Sequence, residues 1–177
     1  MIDASKTRED ILSFLNERKI HYEFFEHPKA HSIDDCLKLP FITDDVTICK
    51  NIFLCNRQQT SFYLLLLKPH TPFRTAIVSK ALGVSRLSFA PEEALEEKLH
   101  LSSGSVSVLG LYFDRAHSIG CVAENAVLET PRIAFHPCDN SATVIFSQED
   151  FWQQLLPAMG VSPVFLKLGE NPLEGSA

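Results

Sequence analysis

The feature that most constrains this chain is a pair of apolar runs separated by a short polar link. Val46 to Arg57 reads as a strand whose core is Lys50-Asn51-Ile52-Phe53-Leu54, and Phe62 to Leu67 is apolar throughout. Between them lies Asn56-Arg57-Gln58-Gln59-Thr60. Runs that are apolar on both faces suit strands covered on each side, and a short polar link between them predicts an antiparallel hairpin at the centre of a sheet. Side chains alternate along a strand, so Val46, Ile48, Ile52 and Leu54 share one face and Lys50 stands among them. An unpaired ammonium in a core is costly, so Lys50 must snorkel, pair or line a cavity. The ordinary reading is a lysine at a strand end with its head in water; the functional one is a lysine facing a ligand.

The flanking chain supplies mixed elements. Thr7 with Asp10 starts an amphipathic helix running to Arg18, with Ile11, Leu12, Phe14 and Leu15 on its apolar face. Tyr22 to His27 reads as a strand, Pro28 breaks the chain, and Ser32 with Asp35 caps a short helix to Leu39. Thr71-Pro72 opens a helix whose Phe73, Ile77, Ala81 and Leu82 share a face, and Gly83 stops it. A short strand over Arg86–Phe89 precedes a helix opened by Pro91 and ending near His100. After the loop Ser102–Ser105, strands are expected at Val106–Phe113, Ile119–Ala123, Arg132–Phe135 and Thr143–Phe146. Ser147 with Asp150 caps a last helix closed by Gly160, and Pro163–Leu168 forms a closing strand. Strands outnumber helices and connections are short. The expected class is therefore mixed α/β (α+β): a mostly antiparallel sheet surrounded by helices, not a doubly wound one. A single domain is expected over residues 1–168, with 169–177 as a flexible tail.

Composition removes several function classes. An apolar fraction of 45% and a charged fraction of 21% over 177 residues describe an ordinary globular chain. The longest apolar run is far too short to cross a bilayer, and Met1 to Ser5 lacks a leader pattern, so no membrane and a cytoplasmic location are the expectations. Five scattered cysteines without a C-x-x-C pair argue against a disulfide framework or a structural zinc. No dinucleotide or nucleotide-triphosphate glycine motif occurs, and no cofactor is expected. The net charge of −6, with no basic run, makes any contact with nucleic acid small and local, or shared with a helper protein.

Several small constellations could carry chemistry. His27, His31, His136 and Cys138 can be drawn as a metal site, but Pro28 breaks the helix that would align the first two, and ordinary loop histidines are the better reading. Cys49 and Cys55 lie in a core strand and read as small apolar residues, not nucleophiles. The loop Leu101-Ser102-Ser103-Gly104-Ser105-Val106 is small enough for its backbone N–H groups to approach a ligand, although a plain turn looks the same. His136-Pro137-Cys138-Asp139-Asn140 lies between two strands and could present His136 and Asn140 at a pocket rim; a polar loop there needs no function.

Taken in order, these segments resemble the YbaK/prolyl-tRNA-synthetase-associated domain family, whose free-standing members remove wrongly attached amino acids from the tRNA for proline. The matching pieces are His27-Pro28 before Ser32-Ile33-Asp34-Asp35, then Lys50-Asn51-Ile52-Phe53-Leu54, Arg86-Leu87-Ser88-Phe89-Ala90 and Gly104-Ser105-Val106-Ser107. His136-Pro137 with Asn140 and Thr143, and the Asp150-Phe151 helix, complete the set, which spans about Ile20 to Gly160. The resemblance implies a curved sheet and a pocket in which Lys50 is the residue needed for activity. It makes Asn51 a pocket or orienting residue, gives Gly104, Ser105 and Val106 as backbone donors, and places His136 and Asn140 on the same pocket. Two positions depart from the family pattern: Val108 and Ser103 stand where prolines are common.

The reaction this implies is hydrolysis of the ester between an amino acid and the terminal ribose of tRNA, alanyl-tRNA for proline being the expected substrate. The ester is already activated, so positioning a water and stabilising an oxyanion suffice, and no metal or side-chain nucleophile is required. A small pocket would act as a second sieve. The expected partners are the acceptor end of aminoacyl-tRNA and prolyl-tRNA synthetase or an elongation factor. The alternative is a catalytically silent module that binds aminoacyl-tRNA or a small ligand.

Overall fold

The long apolar run of the sequence is not one strand. In the computed structural model, which describes residues 1–168, it divides at Cys49 into β2 (Val46–Ile48) and β3 (Lys50–Asn56), and the halves belong to different sheets. Cys49 N–H still donates to Ala134 O of the first sheet at 3.2 Å, whereas Lys50 already pairs with Leu67 of the second. The expected shared face therefore dissolves. Val46 and Ile48 pack with Ala134 and Ile145, while Ile52 and Leu54 pack with Leu65, Leu67 and Val78. Lys50, between them, is exposed at the corner. Periodicity could not show this, because residues on both sides of the corner are equally apolar.

The remaining elements follow in order. They are α1 (Ala4–Glu17), β1 (Glu23–Glu26), α2 (Ile33–Leu37), then β2 and β3, β4 (Phe62–Leu67), α3 (Thr75–Leu82), β5 (Leu87–Phe89) and α4 (Glu92–Leu99). A 3-10 helix (Val108–Phe113) precedes β6 (Ile119–Glu124), and a second (Asn125–Leu128) precedes β7 (Arg132–Phe135) and β8 (Ala142–Ser147). A wide π-helical turn (Asp150–Leu155), α5 (Leu156–Ala158) and β9 (Val164–Leu166) finish the described chain. The expected tail, residues 169–177, lies outside the described residues.

The first sheet runs β1-β8-β7-β2 and the second β5-β3-β4-β6-β9. The predicted hairpin is present: β3 and β4 pair antiparallel from Lys50↔Leu67 to Cys55↔Phe62, near the middle of the second sheet. Its turn is tied by Asn56, whose side-chain oxygen accepts the N–H groups of Thr60 and Ser61. Four of the seven strand pairs are antiparallel and three parallel, so the class is the expected mixed α/β with two mixed sheets in place of one. The sheets share a core. Phe53, Leu64, Leu66 and Cys121 from one meet Ile133, Phe135, Val144 and Phe146 from the other, with Ile11, Phe14 and Leu15 of α1 and Phe151 in the same cluster. α3 covers the back of the second sheet and α2 the back of the first.

Several boundaries differ from expectation, each for a local reason. α1 starts at Ala4 because Asp3, not Thr7, caps it by accepting from Ser5 N–H and Lys6 N–H. α3 starts at Thr75, since the Thr71 hydroxyl is used elsewhere: it donates to the buried Glu124 carboxylate at 2.8 Å. Its buried side is Val78 and Ser79, with Ile77 and Ala81 turned outward. Val106–Phe113 is not a strand. Ser107 caps a 3-10 helix by accepting Leu109 N–H, and Gly110 lets that helix press on Leu101, where a Cβ would come within 2.8 Å of the side chain.

Glu124 accepts both Lys68 N–H (3.0 Å) and the Thr71 hydroxyl while 3% exposed, which ties the end of β4 to β6. Replacing it by alanine leaves two donors without an acceptor, and Glu124→Ala is expected to cost about 1–3 kcal/mol in urea unfolding.

Candidate active site

The corner at Cys49 opens onto two adjoining cavities. The first, about 410 Å³, is lined by Ala30, Ile33, Cys36, Ile48, Cys49 and His136, with His31 and Ser32 at its edge. The second, about 330 Å³, has Phe73, Phe89, Ala90 and Leu95 among its walls. Lys50, Asn51, Gly104 and Val106 line both, forming a common partition. Both volumes fall in the range of about 300–1,000 Å³ usual for small-molecule sites.

Asn51 holds the partition together. Its Oδ1 accepts Val108 N–H at 2.9 Å and its Nδ2 donates to Cys49 O at 3.0 Å, so both ends of the amide are used. It spans from the strand corner to the start of the 3-10 helix. Val108, where the related family commonly has proline, thus supplies an N–H that proline lacks.

The loop Ser102–Ser105 is a turn closed by Ser105 N–H donating to Ser102 O at 3.1 Å, with Gly104 at φ +88° in the third position. That conformation favours glycine. Gly104 and Val106 therefore face the cavities, and their N–H groups engage no protein acceptor among the described residues. Ser105 does not join them: it is buried, its N–H closes the turn, and it lines neither cavity.

His136 lines the first cavity at the end of β7. A carbonyl can only accept, so Nδ1 carries the proton and donates to Ala142 O at 2.8 Å; Nε2 then accepts from the Cys36 thiol at 3.4 Å. Burial holds its pKa below the ordinary histidine value, and the ring is neutral at neutral pH. His27 stands 6.0 Å away, ring to ring, donating from Nδ1 to Pro28 O (2.8 Å) and accepting at Nε2 from the Thr143 hydroxyl (2.9 Å). Asn140 is not on the cavity. Its Nδ2 donates to Ala30 O (3.2 Å) and its carbonyl accepts Ala30 N–H (3.0 Å), so it fastens the segment that forms the cavity wall.

Several residues of the site carry no assigned role from the sequence, although Ser107 and Ile33 lie within its family-like motifs. Ser107 is buried; its hydroxyl donates to His136 O at 2.6 Å and so locks the glycine loop to β7. Ile33 and Cys36, three apart on α2, put one helix face against the cavity. The Ser32 cap was a signal for that helix, but nothing local said what the face would meet.

The cysteines offer no nucleophile. Burial pushes the Cys49 thiol far above its ordinary value, and the Cys36 thiol is raised for the same reason. Among the described residues no carboxylate lines the first cavity, and no group of three or more His, Cys, Asp or Glu is placed to hold a metal ion. What remains is an exposed lysine, two unengaged backbone donors and a small, largely apolar chamber. Such a set can receive an aliphatic side chain and polarise a carbonyl oxygen, without covalent chemistry by the protein.

Fold and site together define a two-sheet α/β domain whose cavities meet at Lys50 and two unengaged main-chain donors. The model of the aminoacyl-tRNA editing domain family matches residues 27–153, and the chain belongs to that family. It is 30% identical over 153 residues to a prolyl-tRNA editing protein, ProX, of Acetoanaerobium sticklandii, covering 86% of this chain and 92% of that protein. It is likewise 30% identical over 168 residues to prolyl-tRNA synthetase associated domain-containing protein 1 of Mus musculus, covering 92% of this chain and 97% of that one. A crystal structure assigned provisionally to a trans-editing enzyme for prolyl-tRNA synthetase superposes with a TM-score of 0.71 at 15% identity, over 93% of this chain and 98% of that one.

Two measurements test this arrangement. Ser107→Ala removes both the cap of the 3-10 helix and the bond to His136, and is expected to lower stability by about 1–3 kcal/mol in chemical denaturation. Because His136 is harder to protonate folded than unfolded, its contribution is complete above the unfolded value of 6.5 and declines as pH falls below it, down to the folded pKa. Unfolding free energy measured across that window should therefore slope less in His136→Gln than in the wild type.

Proposed function

We propose that this protein is a trans-editing deacylase that hydrolyses mischarged tRNA for proline, with the alanyl ester as its preferred substrate. The observation that carries the reading is the partition itself: Lys50 and the unengaged N–H groups of Gly104 and Val106 border a chamber walled by Ala30, Ile33, Ile48 and Cys49. The alanyl methyl group enters that chamber against its aliphatic walls. Hydrophobic pockets separate neighbouring side chains by only about 1–3 kcal/mol per methylene, so this site works as a second sieve behind a synthetase.

The ester carbonyl lies at the partition. Water adds to its carbon, the backbone donors and the Lys50 ammonium receive the oxyanion, and the bond to the ribose oxygen breaks. The proton lost by the water ends on that ribose oxygen, releasing free amino acid and intact tRNA. Lys50 is the catalytic residue in this scheme. Gly104 and Val106 bind the carbonyl, His136 shapes the chamber, and Asn51, Ser105 and Asn140 position the groups around it. The net charge of −6 fits contact with the acceptor end alone, with delivery by prolyl-tRNA synthetase or an elongation factor in the cytoplasm.

A binding module without turnover is the competing reading, and one observation favours it: His136 and Asn51 have their side-chain polar atoms engaged within the protein, leaving neither as a ready base. A deacylation panel decides. Wild-type protein should hydrolyse alanyl-tRNA for proline faster than the cysteinyl and seryl forms, and Lys50→Ala should lower kcat/KM by about 10²–10³-fold, as expected for loss of a charge-stabilising donor. Binding of all forms with hydrolysis of none would establish the silent module instead.

A further inference from the structure

The second cavity shares the partition with the first and is given no role in the scheme above. Its walls are unusual for an open surface. Phe89 is 67% exposed on the three-residue edge strand β5, and Phe73 meets it edge-to-face with ring centroids 5.9 Å apart. Ile52, Phe53, Ala90 and Leu95 form the floor. An exposed phenylalanine beside an apolar floor is costly in water, and flat aromatic surfaces of this kind stack well against nucleobases of any sequence.

A carboxylate also lines this cavity, beside the glycine loop. Glu92 Oε1 accepts from the Ser103 hydroxyl at 3.0 Å, and Oε2 makes no contact with a donor among the described residues. A fixed carboxylate with a free oxygen beside stacking aromatics can accept from an exocyclic amino group, and it repels a carbonyl oxygen in the same place.

We infer that the cavity bounded by Phe73, Phe89 and Glu92 is the subsite for the terminal adenine base of an aminoacyl nucleotide. The inference rests on the deacylase reading, because the ester joins the amino acid to the ribose and the ribose joins the base. With the amino acid in the first cavity and the ester at the Lys50 partition, the ribose bridges the partition and the base falls in the second. Phe89 offers the stacking face, and Glu92 Oε2 takes the 6-amino group. The subsite gives the enzyme a hold on the feature shared by all tRNA termini, and leaves discrimination of the amino acid to the other chamber.

The test compares alanyl-tRNA with alanine methyl ester, which has the same acyl group and no base. The preference of the enzyme for the nucleotide ester, as a ratio of kcat/KM values, should fall about 5- to 150-fold in Phe89→Ala, the range for deleting one base-stacking ring. Phe89→Tyr should restore it. In parallel, adenosine 5′-monophosphate titrated by NMR should shift amides of β5 and α4 saturably in the wild type. The shifts should weaken in Phe89→Ala, and inosine 5′-monophosphate, which carries an oxygen in place of the amino group, should bind more weakly. A wild type that deacylates alanyl-tRNA with a ratio unchanged in Phe89→Ala overturns the subsite and leaves the deacylase standing. A wild type that binds adenosine 5′-monophosphate through Phe89 but hydrolyses nothing supports the subsite and removes the deacylase. Equal binding of the adenosine and inosine nucleotides overturns the role of Glu92.

Discussion

The site depends on one crossing. At Cys49 the chain leaves a strand that runs parallel to β7 and enters one that runs antiparallel to β4. A chain that changes sheets must turn its backbone out of both ladders for a residue, and the polar groups freed there need partners. Cys49 N–H finds Ala134 O, and Cys49 O finds the Asn51 amide. With its other end the same amide receives Val108 N–H and fixes the glycine loop against the corner. Lys50 is the first residue of β3, directly after that break, and is exposed there. The lysine that looked misplaced on an apolar face stands at the sheet corner, where the faces of β2 and β3 part.

From that corner the chemistry divides between side chain and backbone. The protein puts its only mobile charge of the partition on Lys50 and takes its directional donors from the main chain at Gly104 and Val106. In the proposed reaction, main-chain donors in a turn closed by Ser105 N–H need no reorganisation when a charge develops near them, which suits an ester that is already reactive. His136 is then used for shape. With Ala142 O at one ring nitrogen, the Cys36 thiol at the other and burial disfavouring its charged form, it is a neutral wall. Ser107 anchors the loop to the backbone of that same histidine. The loop, the histidine and the lysine corner are thus tied together by hydrogen bonds, although they come from three distant parts of the chain.

The two departures from the family pattern find local explanations here. Proline at the Val108 position would stiffen the loop by fixing φ; valine keeps its N–H and is held by Asn51 instead. Ser103 holds the other side of the loop through Glu92. Covalent stiffness is exchanged for two hydrogen bonds, and the loop is held at both ends.

Much of this was legible in the sequence, and the division has a physical basis. The hairpin of β3 and β4, the caps at Ser32, Pro91 and Ser147, the stop at Gly83 and the glycine of the loop are set by local rules: alternation, capping and the need for positive φ. The family motifs imply a common pocket for Lys50, Asn51, Gly104, Val106 and His136, and these five line one cavity. The sequence could not show where the sheet changes, because apolar residues at Ile48 and Ile52 look alike whichever core they enter. Nor could it show that Ser107 caps a 3-10 helix beginning at Val108, since Val106 to Phe113 has the composition of a strand, or that Asn140 and Ser105 turn away from the cavity to bind backbone. These are decided by contacts between residues far apart in the chain, where each hydrogen-bonding group takes the partner that the assembled fold brings within reach.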